Sequence, residues 1–261
     1  MGHIVVKNLF KTYVTTINGK ENPICVYDDF NLSVEKGEFL TIFGPNGCGK
    51  TTLLTIIAGL IGPDKGTVKI GEKSPAEADV GFIFQNFDDS LFPWRTTLQN
   101  LSFPLEVRGM PKKEAIKKAK GFIKETGLTN LTGLENSYPY QLSGGLQQLV
   151  AVARALIYKP DVLLMDEPFG SLDFQTRLFL QDKLLGIWKK TEVTIIFVSH
   201  EINEAIYLGN RMVLLSKRPA RIKEVIHNNL PSPRSQSIMT TVEFLELKRK
   251  ALSIFTEEMN L

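Results

Sequence analysis

A glycine-rich loop near residue 50 is the segment of this chain best suited to bind phosphate. It reads Gly-Pro-Asn-Gly-Cys-Gly-Lys-Thr over residues 44–51, which is the complete Walker A pattern. Glycines let the backbone N–H groups of such a loop turn inward around phosphates, and the helix that follows presents its positive end to them. Lys50 supplies a point charge, and the Thr51 hydroxyl is a ligand for Mg²⁺. The loop therefore predicts a site for a nucleoside triphosphate and magnesium.

Two adjacent carboxylates, Asp166 and Glu167, follow the apolar run Val162–Met165. Such a run is typical of a strand in the middle of a covered parallel sheet, and ligands gather at the carboxyl ends of these strands. Because adjacent residues on a strand point in opposite directions, we expect the two carboxylates to have different roles. Pro168 and then the segment Ser171-Leu-Asp follow within a few residues, which argues against a plain solvated strand end.

Ser143, Gly144 and Gly145 form a second candidate anion cradle. They combine a hydroxyl, two flexible residues and the N–H groups at the start of a helix predicted from about Gly145 to Tyr158. The chain thus carries two elements that can bind phosphate. Two further polar residues each follow an apolar strand: His200 after Val193–Val198, and Gln85 after Val80–Phe84.

Strands and helices are predicted to hold these residues in place. The strand Phe39–Phe43, the glycine-rich loop and a helix over Lys50–Leu60 give the context that separates a working phosphate loop from a chance match. The other predicted elements are strands at Ile4–Val6, Cys25–Tyr27, Arg211–Ser216 and Ile222–Ile226, a hairpin turn within Thr15–Pro23, and a helix over Glu201–Leu208.

Residues 88–159 have the pattern of a helical insertion. Lys112–Thr126 places its apolar residues on one helical face, and Gly127 is positioned to end that helix. We therefore expect a single domain over residues 1–261. Its parts are a nucleotide-binding lobe (1–87 and 160–261), an inserted helical lobe (88–159) and a C-terminal helix (241–261).

Composition excludes several other classes of protein. The chain is 43% hydrophobic and 23% charged, which is ordinary for a soluble globular protein. A formal net charge of +3 is too small to argue for nucleic acid, so no nucleic-acid partner is expected. Cys48 lies inside the phosphate loop, so the two cysteines predict no disulfide framework and fit a reducing cytoplasm. The longest apolar runs are far shorter than the roughly 20 residues needed to cross a bilayer, and no signal peptide is recognisable.

The order of these motifs resembles the ATP-binding subunits of ABC transporters over nearly the whole chain. The Walker loop and the acidic strand end are needed in any phosphate-loop ATPase, whereas Leu142-Ser-Gly-Gly placed just before an acidic strand marks this superfamily. The resemblance implies an α/β fold. It would consist of a phosphate-loop (RecA-like) nucleotide-binding lobe with an N-terminal antiparallel β subdomain and an inserted helical subdomain.

The resemblance also implies a role for each motif in ATP hydrolysis. Glu167 would polarise the attacking water, His200 would contact the γ-phosphate, and Gln85 would link the metal and the water to the helical lobe. The residues expected to bind ATP are Tyr13 (stacked on adenine), Gly44, Pro45, Asn46, Gly47, Cys48, Gly49, Lys50, Thr51, Thr52, Ser143, Gly144, Gly145 and Asp173. Those expected to hold Mg²⁺ are Thr51, Gln85 and Asp166.

Several partners follow from the resemblance. Two such chains pair head to tail, so that the signature of each caps the ATP on the Walker loop of the other, with the Asp173 segment against the opposing subunit. The second ATPase subunit would be another copy or a relative. Integral membrane permease subunits and, indirectly, an extracytoplasmic solute-binding protein complete the assembly. The chain would then lie peripherally on the cytoplasmic face of the inner membrane.

Three segments resemble the nitrate, sulfonate and taurine group of bacterial importers, which also handles bicarbonate. They are Leu91-Phe-Pro-Trp94, Lys217-Arg-Pro-Ala-Arg-Ile222 and Leu230-Pro-Ser-Pro-Arg234. We therefore expect an ATPase that powers uptake of a small solute of this kind. The apolar residues near Gln85 either form a groove for a membrane subunit or belong to the core of the helical lobe: Phe84, Phe87, Leu91, Phe92 and Trp94.

Competing functions remain open at this point. A soluble ABC ATPase of an assembly machinery, for example for iron–sulfur clusters, is the main alternative, although the Lys217–Arg234 pattern argues against it. Export instead of import is a further possibility. The chain also departs from the family at Leu149, where an arginine is usual and leucine cannot supply its guanidinium. That arginine is not the chemical base, so hydrolysis is still expected.

Overall fold

The computed structural model describes residues 2–17, 19–85 and 90–259. The chain divides into two compact units, one formed by Met1–Val80 with Thr194–Leu261 and the other by Gly81–Val193. The lobes predicted at 1–87, 88–159 and 160–261 rest on sequence pattern alone and stay a prediction.

Nine strands and seven α-helices are present in the described part of the chain. The strands are β1 (Ile4–Ile17), β2 (Lys20–Val34), β3 (Phe39–Phe43), β4 (Lys65–Ile70), β5 (Val80–Ile83), β6 (Val162–Asp166), β7 (Thr194–Ser199), β8 (Arg211–Leu215) and β9 (Ile222–His227). The helices are α1 (Lys50–Ile57), α2 (Thr97–Val107), α3 (Lys112–Thr126), α4 (Gly144–Leu156), α5 (Phe174–Thr191), α6 (Ile202–Leu208) and α7 (Val242–Met259).

The first unit contains an antiparallel sheet in the order β2-β1-β4. Ile17 pairs with Lys20, and Thr15 pairs with Asn22. The hairpin turn predicted within Thr15–Pro23 is therefore narrower than expected, because most of that segment belongs to the two strands. Asn18, one of the two predicted turn residues, lies outside the described residues, while Gly19 has the positive φ of 74° that suits such a turn.

The same unit contains the strands that carry the phosphate loop. β3 lies between β7 and β8, both parallel to it, and β9 extends this group antiparallel to β8. Every residue of β3 and β7 is buried, as expected for strands covered on both faces. The carboxyl ends of β3 and β7 therefore lie side by side, and these ends lead into the Walker loop and His200.

The second unit contains β5, β6 and the helices α2–α5. Helix α2 begins with a capping box, in which the Thr96 side chain accepts from the Gln99 backbone N–H and the Gln99 side chain accepts from the Thr96 backbone N–H. Helix α3 has the predicted bounds and ends at Gly127 in the left-handed conformation. Helices α2 and α5 and strand β4 had no predicted counterpart. The predicted α/β fold class is confirmed.

The part of the chain described here includes no helix that combines the length and apolar character needed to cross a bilayer.

Candidate nucleotide-hydrolysis site

The Walker loop holds its lysine in a buried position. Lys50 is only 5% exposed, and its Nζ donates to the carbonyl oxygens of Gly44 (2.9 Å) and Pro45 (3.0 Å). These two bonds hold the ammonium group against the first turn of the loop. Gly47 has φ 73° in the left-handed region, which a glycine adopts at no steric cost. The positive charge is thus held where the sequence predicts the phosphates.

The end of the loop is packed tightly against β2. Gly49 has φ 124°, and a Cβ there would lie 2.5 Å from Val26 Cγ1. The hydroxyl of Tyr27 donates to the Gly49 carbonyl at 2.8 Å. Only glycine fits this position, for reasons of both backbone conformation and space. Tyr27 was predicted as part of a strand, and its contact with the loop was not foreseen.

A cavity of about 570 Å³ lies beside the Walker loop in the first unit. Its lining residues are Phe43, Gly44, Pro45, Asn46, Gly47, Cys48, His200, Lys217, Arg218 and Phe255. Two predicted site elements, the loop and His200, therefore meet at one cavity. The cations at 217 and 218 were noticed in the sequence only as part of a family pattern, and their position beside the loop is new.

Helix α7 closes one side of this cavity. Phe255 packs edge-on against Phe43, the last residue of β3, with 5.1 Å between ring centroids. The Glu258 carboxylate accepts from the Lys217 backbone N–H at 2.8 Å and pairs with Lys223 Nζ at 2.9 Å. These hydrogen bonds lower the pKa of Glu258, the bond from the Lys223 side chain being the largest cause. The C-terminal helix is thus fixed to the strand that presents the loop.

Hydrogen bonds hold the turn that carries His200 and cap the far end of the helix that follows it. Before it, the Ser199 hydroxyl accepts from the Glu201 N–H at 2.9 Å and donates to the Glu204 carboxylate. After it, the C-terminal end of α6 is capped, because Arg234 Nη1 donates to the carbonyls of Tyr207 (2.8 Å) and Gly209 (2.9 Å). The Pro-Ser-Pro-Arg pattern thus has a structural role: its arginine satisfies carbonyl groups left over at a helix end.

Tyr13 lies on β1 in the first unit, and its side chain is 40% exposed. Lys11 Nζ lies 5.5 Å from the centre of the Tyr13 ring and forms an ion pair with Asp64 at 3.0 Å. The ring is therefore oriented by a cation and retains exposed surface. Stacking of this ring on adenine stays a prediction.

In the second unit, the acidic strand end and Gln85 come together. Asp166 is buried at the end of β6, and Glu167 follows with φ 47°. Gln85 Nε2 donates to Glu167 Oε2 at 3.2 Å, although 82 positions separate the two residues. Because Glu167 has a left-handed backbone conformation, the direction of its side chain is not set by the alternation expected along a strand. Unusual backbone conformations of this kind occur preferentially at functional sites.

The signature segment begins helix α4. Ser143 is its N-cap and accepts from the Leu146 N–H at 3.4 Å. A Cβ at Gly145 would lie 2.4 Å from Thr176 Cγ2, so this glycine allows α4 to pack closely on α5. Gln148 Nε2 donates to the Pro168 carbonyl at 2.9 Å, which connects α4 to the segment after Glu167. Sequence reasoning assigned no role to Gln148.

Leu149 and Asp173 also have clear positions. Leu149 is buried within α4, so the residue that departs from the family pattern is part of the hydrophobic core.

Asp173 is the N-cap of α5 and accepts from the Thr176 N–H at 3.0 Å. Hydrogen bonding from Thr176, through its side chain and its backbone, lowers the pKa of Asp173.

The donor atoms of the predicted metal ligands suit Mg²⁺. Thr51 offers a hydroxyl oxygen, Asp166 a carboxylate and Gln85 an amide oxygen, whose nitrogen end is directed to Glu167. Hard oxygen donors of this kind are the ligands that Mg²⁺ prefers. Within the described residues, no group of three or more His, Cys, Asp and Glu side chains is placed to hold a metal.

Comparison with known proteins decides the family. A sequence profile described as ABC transporter matches residues 27–170, more than half of the chain. The chain belongs to the ABC transporter family. An uncharacterized ABC transporter ATP-binding protein of Methanocaldococcus jannaschii is 49% identical over 97% of this chain and 91% of its own length. The aliphatic sulfonates import ATP-binding protein SsuB of Bacillus cereus is 46% identical over 88% of both chains.

Solved structures agree with this assignment. A dimeric ATP-binding cassette in a post-hydrolysis state with ADP and Pi has a TM-score of 0.70 and 33% identity, covering 87% of this chain and all of that one. A second dimeric structure, of a bacterial ABC transporter cassette, has a TM-score of 0.69 and the same identity and coverage. The chain is therefore an ATP-binding subunit with ATPase activity, as the order of motifs predicted.

Proposed function

We propose that this ABC ATPase is the motor subunit of an importer and powers uptake of a small solute such as a sulfonate through separate membrane subunits. The observation that carries the proposal is the 46% identity, over 88% of both chains, to a protein named for aliphatic sulfonate import. The patterns at Leu91–Trp94 and Lys217–Arg234 support the same group. The solute itself is selected by the binding protein and the membrane subunits.

Within the motor, Glu167 acts as the general base in hydrolysis. The amide of Gln85 donates to its carboxylate, which orients the carboxylate, and the left-handed backbone directs the residue out of the strand. His200, beside the Walker loop, contacts the γ-phosphate, and Lys50 holds the phosphates. Thr51, Asp166 and Gln85 would hold Mg²⁺, and the ion would supply positive charge to neutralise the phosphate oxygens.

Replacing Glu167 by Gln tests the assignment of the base. The variant keeps an oxygen that can accept from Gln85 but cannot take a proton, so turnover should fall about 10²–10⁴-fold while ATP binding persists. The ATP-bound protein should accumulate as a dimer in size-exclusion chromatography. Glu125→Gln, an exposed position on α3 of the same unit, is the control and should leave turnover unchanged. Unaltered turnover in Glu167→Gln would overturn the base assignment.

The dimer is the working form in this proposal. Ser143, Gly144 and Gly145 of one subunit cap the ATP on the Walker loop of the other, and the segment at Asp173 lies against the partner. The solved cassettes that resemble this chain are dimeric, which supports the pairing of two subunits. Binding of two ATP molecules closes the dimer, and hydrolysis followed by product release opens it again. The partner is a second copy or a related ATPase.

The apolar residues near Gln85 divide into a buried and an exposed group. Leu91 is 5% exposed and belongs to the core, whereas Phe84 is 53% and Trp94 71% exposed. Trp94 packs on Phe92 with 5.5 Å between ring centroids. Phe87 lies outside the described residues. The exposed pair supports a contact surface for a membrane permease subunit. We infer that the chain lies peripherally at the cytoplasmic face of the membrane.

Copurification tests the transport role. The tagged chain, purified from gently solubilised membranes, should bring down a multi-span membrane protein, and a second ATPase would show a mixed pair. Trp94→Ala should lose the membrane protein while remaining folded. Val107→Ala, which removes another strongly exposed apolar side chain, should retain it. Recovery of soluble partners alone would favour an assembly ATPase, and loss of folding in Trp94→Ala would contradict the surface assignment.

A further inference from the structure

A buried tyrosine makes a hydrogen bond to the backbone of the Walker loop. Tyr27 is fully buried, and its hydroxyl donates to the carbonyl oxygen of Gly49 at 2.8 Å. The Leu53 N–H donates to the same oxygen at 2.9 Å, as the first hydrogen bond of helix α1. The Gly49 carbonyl therefore has two donors, one from the helix and one from a strand 22 positions earlier in the chain.

This bond sets the direction of a peptide group inside the phosphate loop. A peptide bond is planar and trans, so the Gly49 C=O and the Lys50 N–H point in opposite directions. The hydrogen bond from Tyr27 fixes the Gly49 carbonyl oxygen toward the tyrosine, so the Lys50 N–H must point away from it. Gly49 is the N-cap of α1 and makes no side-chain capping bond. Because glycine has no side chain with which to cap the helix, the Tyr27 hydroxyl supplies the hydrogen bond that fixes this residue.

Tyr27 is itself held firmly. Its ring packs on Phe30 with 4.8 Å between centroids. The Ala220 N–H donates to the Val26 carbonyl at 2.8 Å, which fixes the adjacent backbone of β2. Burial raises the pKa of the Tyr27 hydroxyl well above 10, so this group stays protonated and remains a donor across the physiological range. A Cβ at Gly49 would lie 3.1 Å from the Tyr27 hydroxyl oxygen and 3.2 Å from Tyr27 Cζ, so the space beside the tyrosine suits glycine alone.

We propose that Tyr27 is a positioning residue for phosphate binding: its hydroxyl fixes the Gly49–Lys50 peptide so that the Lys50 N–H is preorganised for the nucleotide. Tyr27 acts through the backbone and does not itself touch the nucleotide. Because backbone N–H groups of the loop contact the phosphates both before and during hydrolysis, losing the hydroxyl weakens binding in both states alike. Such uniform weakening raises KM and leaves kcat nearly unchanged.

Tyr27→Phe is the variant that tests this role, because it removes one oxygen and keeps the buried ring. We expect the Kd for Mg·ADP, measured by isothermal titration calorimetry, to rise about 3–10-fold, the effect of losing one well-formed hydrogen bond. The KM for ATP should rise by a similar factor, with kcat within about twofold of the wild-type value. The KM-against-kcat split is the readout that a purely structural role would not produce.

Tyr207→Phe is the matched control. Tyr207 is also fully buried in the first unit, but its hydroxyl donates to the Arg234 carbonyl, at 3.5 Å, and not to the Walker loop. This variant should leave the Kd for Mg·ADP unchanged, whatever it does to the melting temperature. The proposal is overturned if Tyr27→Phe binds Mg·ADP within twofold of wild type. It is also overturned if Tyr207→Phe weakens binding equally, or if Tyr27→Phe lowers kcat while leaving KM unchanged.

Discussion

Alanine at position 49 should both destabilise the protein and disable its Walker loop. Gly49 has φ 124°, a conformation that residues with a side chain rarely adopt. The added methyl group would also lie 2.5 Å from Val26 Cγ1 and 3.1 Å from the Tyr27 hydroxyl oxygen. Real Cβ atoms do not approach other atoms to 2.5 Å, so either the loop or strand β2 must move.

The two effects can be given separate magnitudes. An unfavourable backbone conformation costs about 1–3 kcal/mol, and overpacking in a closely packed region costs about 1–3 kcal/mol. Together they predict a loss of about 2–6 kcal/mol in the free energy of unfolding. For a chain of this size each kcal/mol lowers the melting temperature by about 2–4 °C, so a decrease of roughly 4–24 °C is expected.

Alanine at another glycine should change the free energy of unfolding in the opposite direction. Gly186 lies within α5, where an added Cβ would meet nothing within 4 Å. Alanine there should raise stability by about 0.5–1 kcal/mol, because glycine is the poorer helix former. Urea denaturation and thermal melting of both variants, with nucleotide binding measured alongside, compare them directly. If Gly49→Ala has the melting temperature of the wild type and binds Mg·ADP with unchanged affinity, the argument from backbone strain and close packing is refuted.

Two further outcomes can be measured in the second unit. Gly145→Ala should lower the free energy of unfolding by about 1–2 kcal/mol and reduce ATPase activity. Adding Thr176→Ser, which removes the clashing Cγ2, should restore both. If the double variant shows no recovery, the close packing of α4 on α5 is contradicted. Burial opposes ionisation of Glu106, but hydrogen bonds from Ser102 and Arg95 hold the pKa of its carboxyl below the usual 4.5. The ionised carboxylate therefore stabilises the folded protein above pH 4.5, and this contribution is lost as the pH falls. Glu106→Gln should therefore cost about 0.5–1.5 kcal/mol in urea denaturation at neutral pH and progressively less in acid.

Elements with a strong local signal were predicted well. Strand Phe39–Phe43 and helix Lys112–Thr126 have the predicted bounds, because an apolar run next to a glycine loop and an amphipathic pattern ended by Gly127 are local features. Helix α2 was missed because Pro104 lies inside it, which normally argues against a helix. Helix α5 was missed because its buried residues, Leu180, Gln181, Leu184 and Ile187, include a polar side chain and give a weak apolar pattern.

The types and order of the chemical groups came from the sequence alone. A phosphate loop, a pair of carboxylates after a buried strand and a signature at a helix start are contiguous segments, so residue identity and spacing are enough to recognise them. The same information predicted ATP as the ligand and the family to which the chain belongs. The separate roles of Glu167, His200 and Gln85 remain predictions, although their positions are now known.

Only the tertiary structure decided which distant residues meet. Tyr27 reaches Gly49, Gln85 reaches Glu167 and Phe255 packs on Phe43, yet none of these pairs is close in sequence. A hydrogen bond or a ring contact needs two groups within a few ångströms, and that distance depends on the path of the whole chain. Local pattern fixes what each segment can do, whereas packing between segments fixes which backbone and side-chain groups support it.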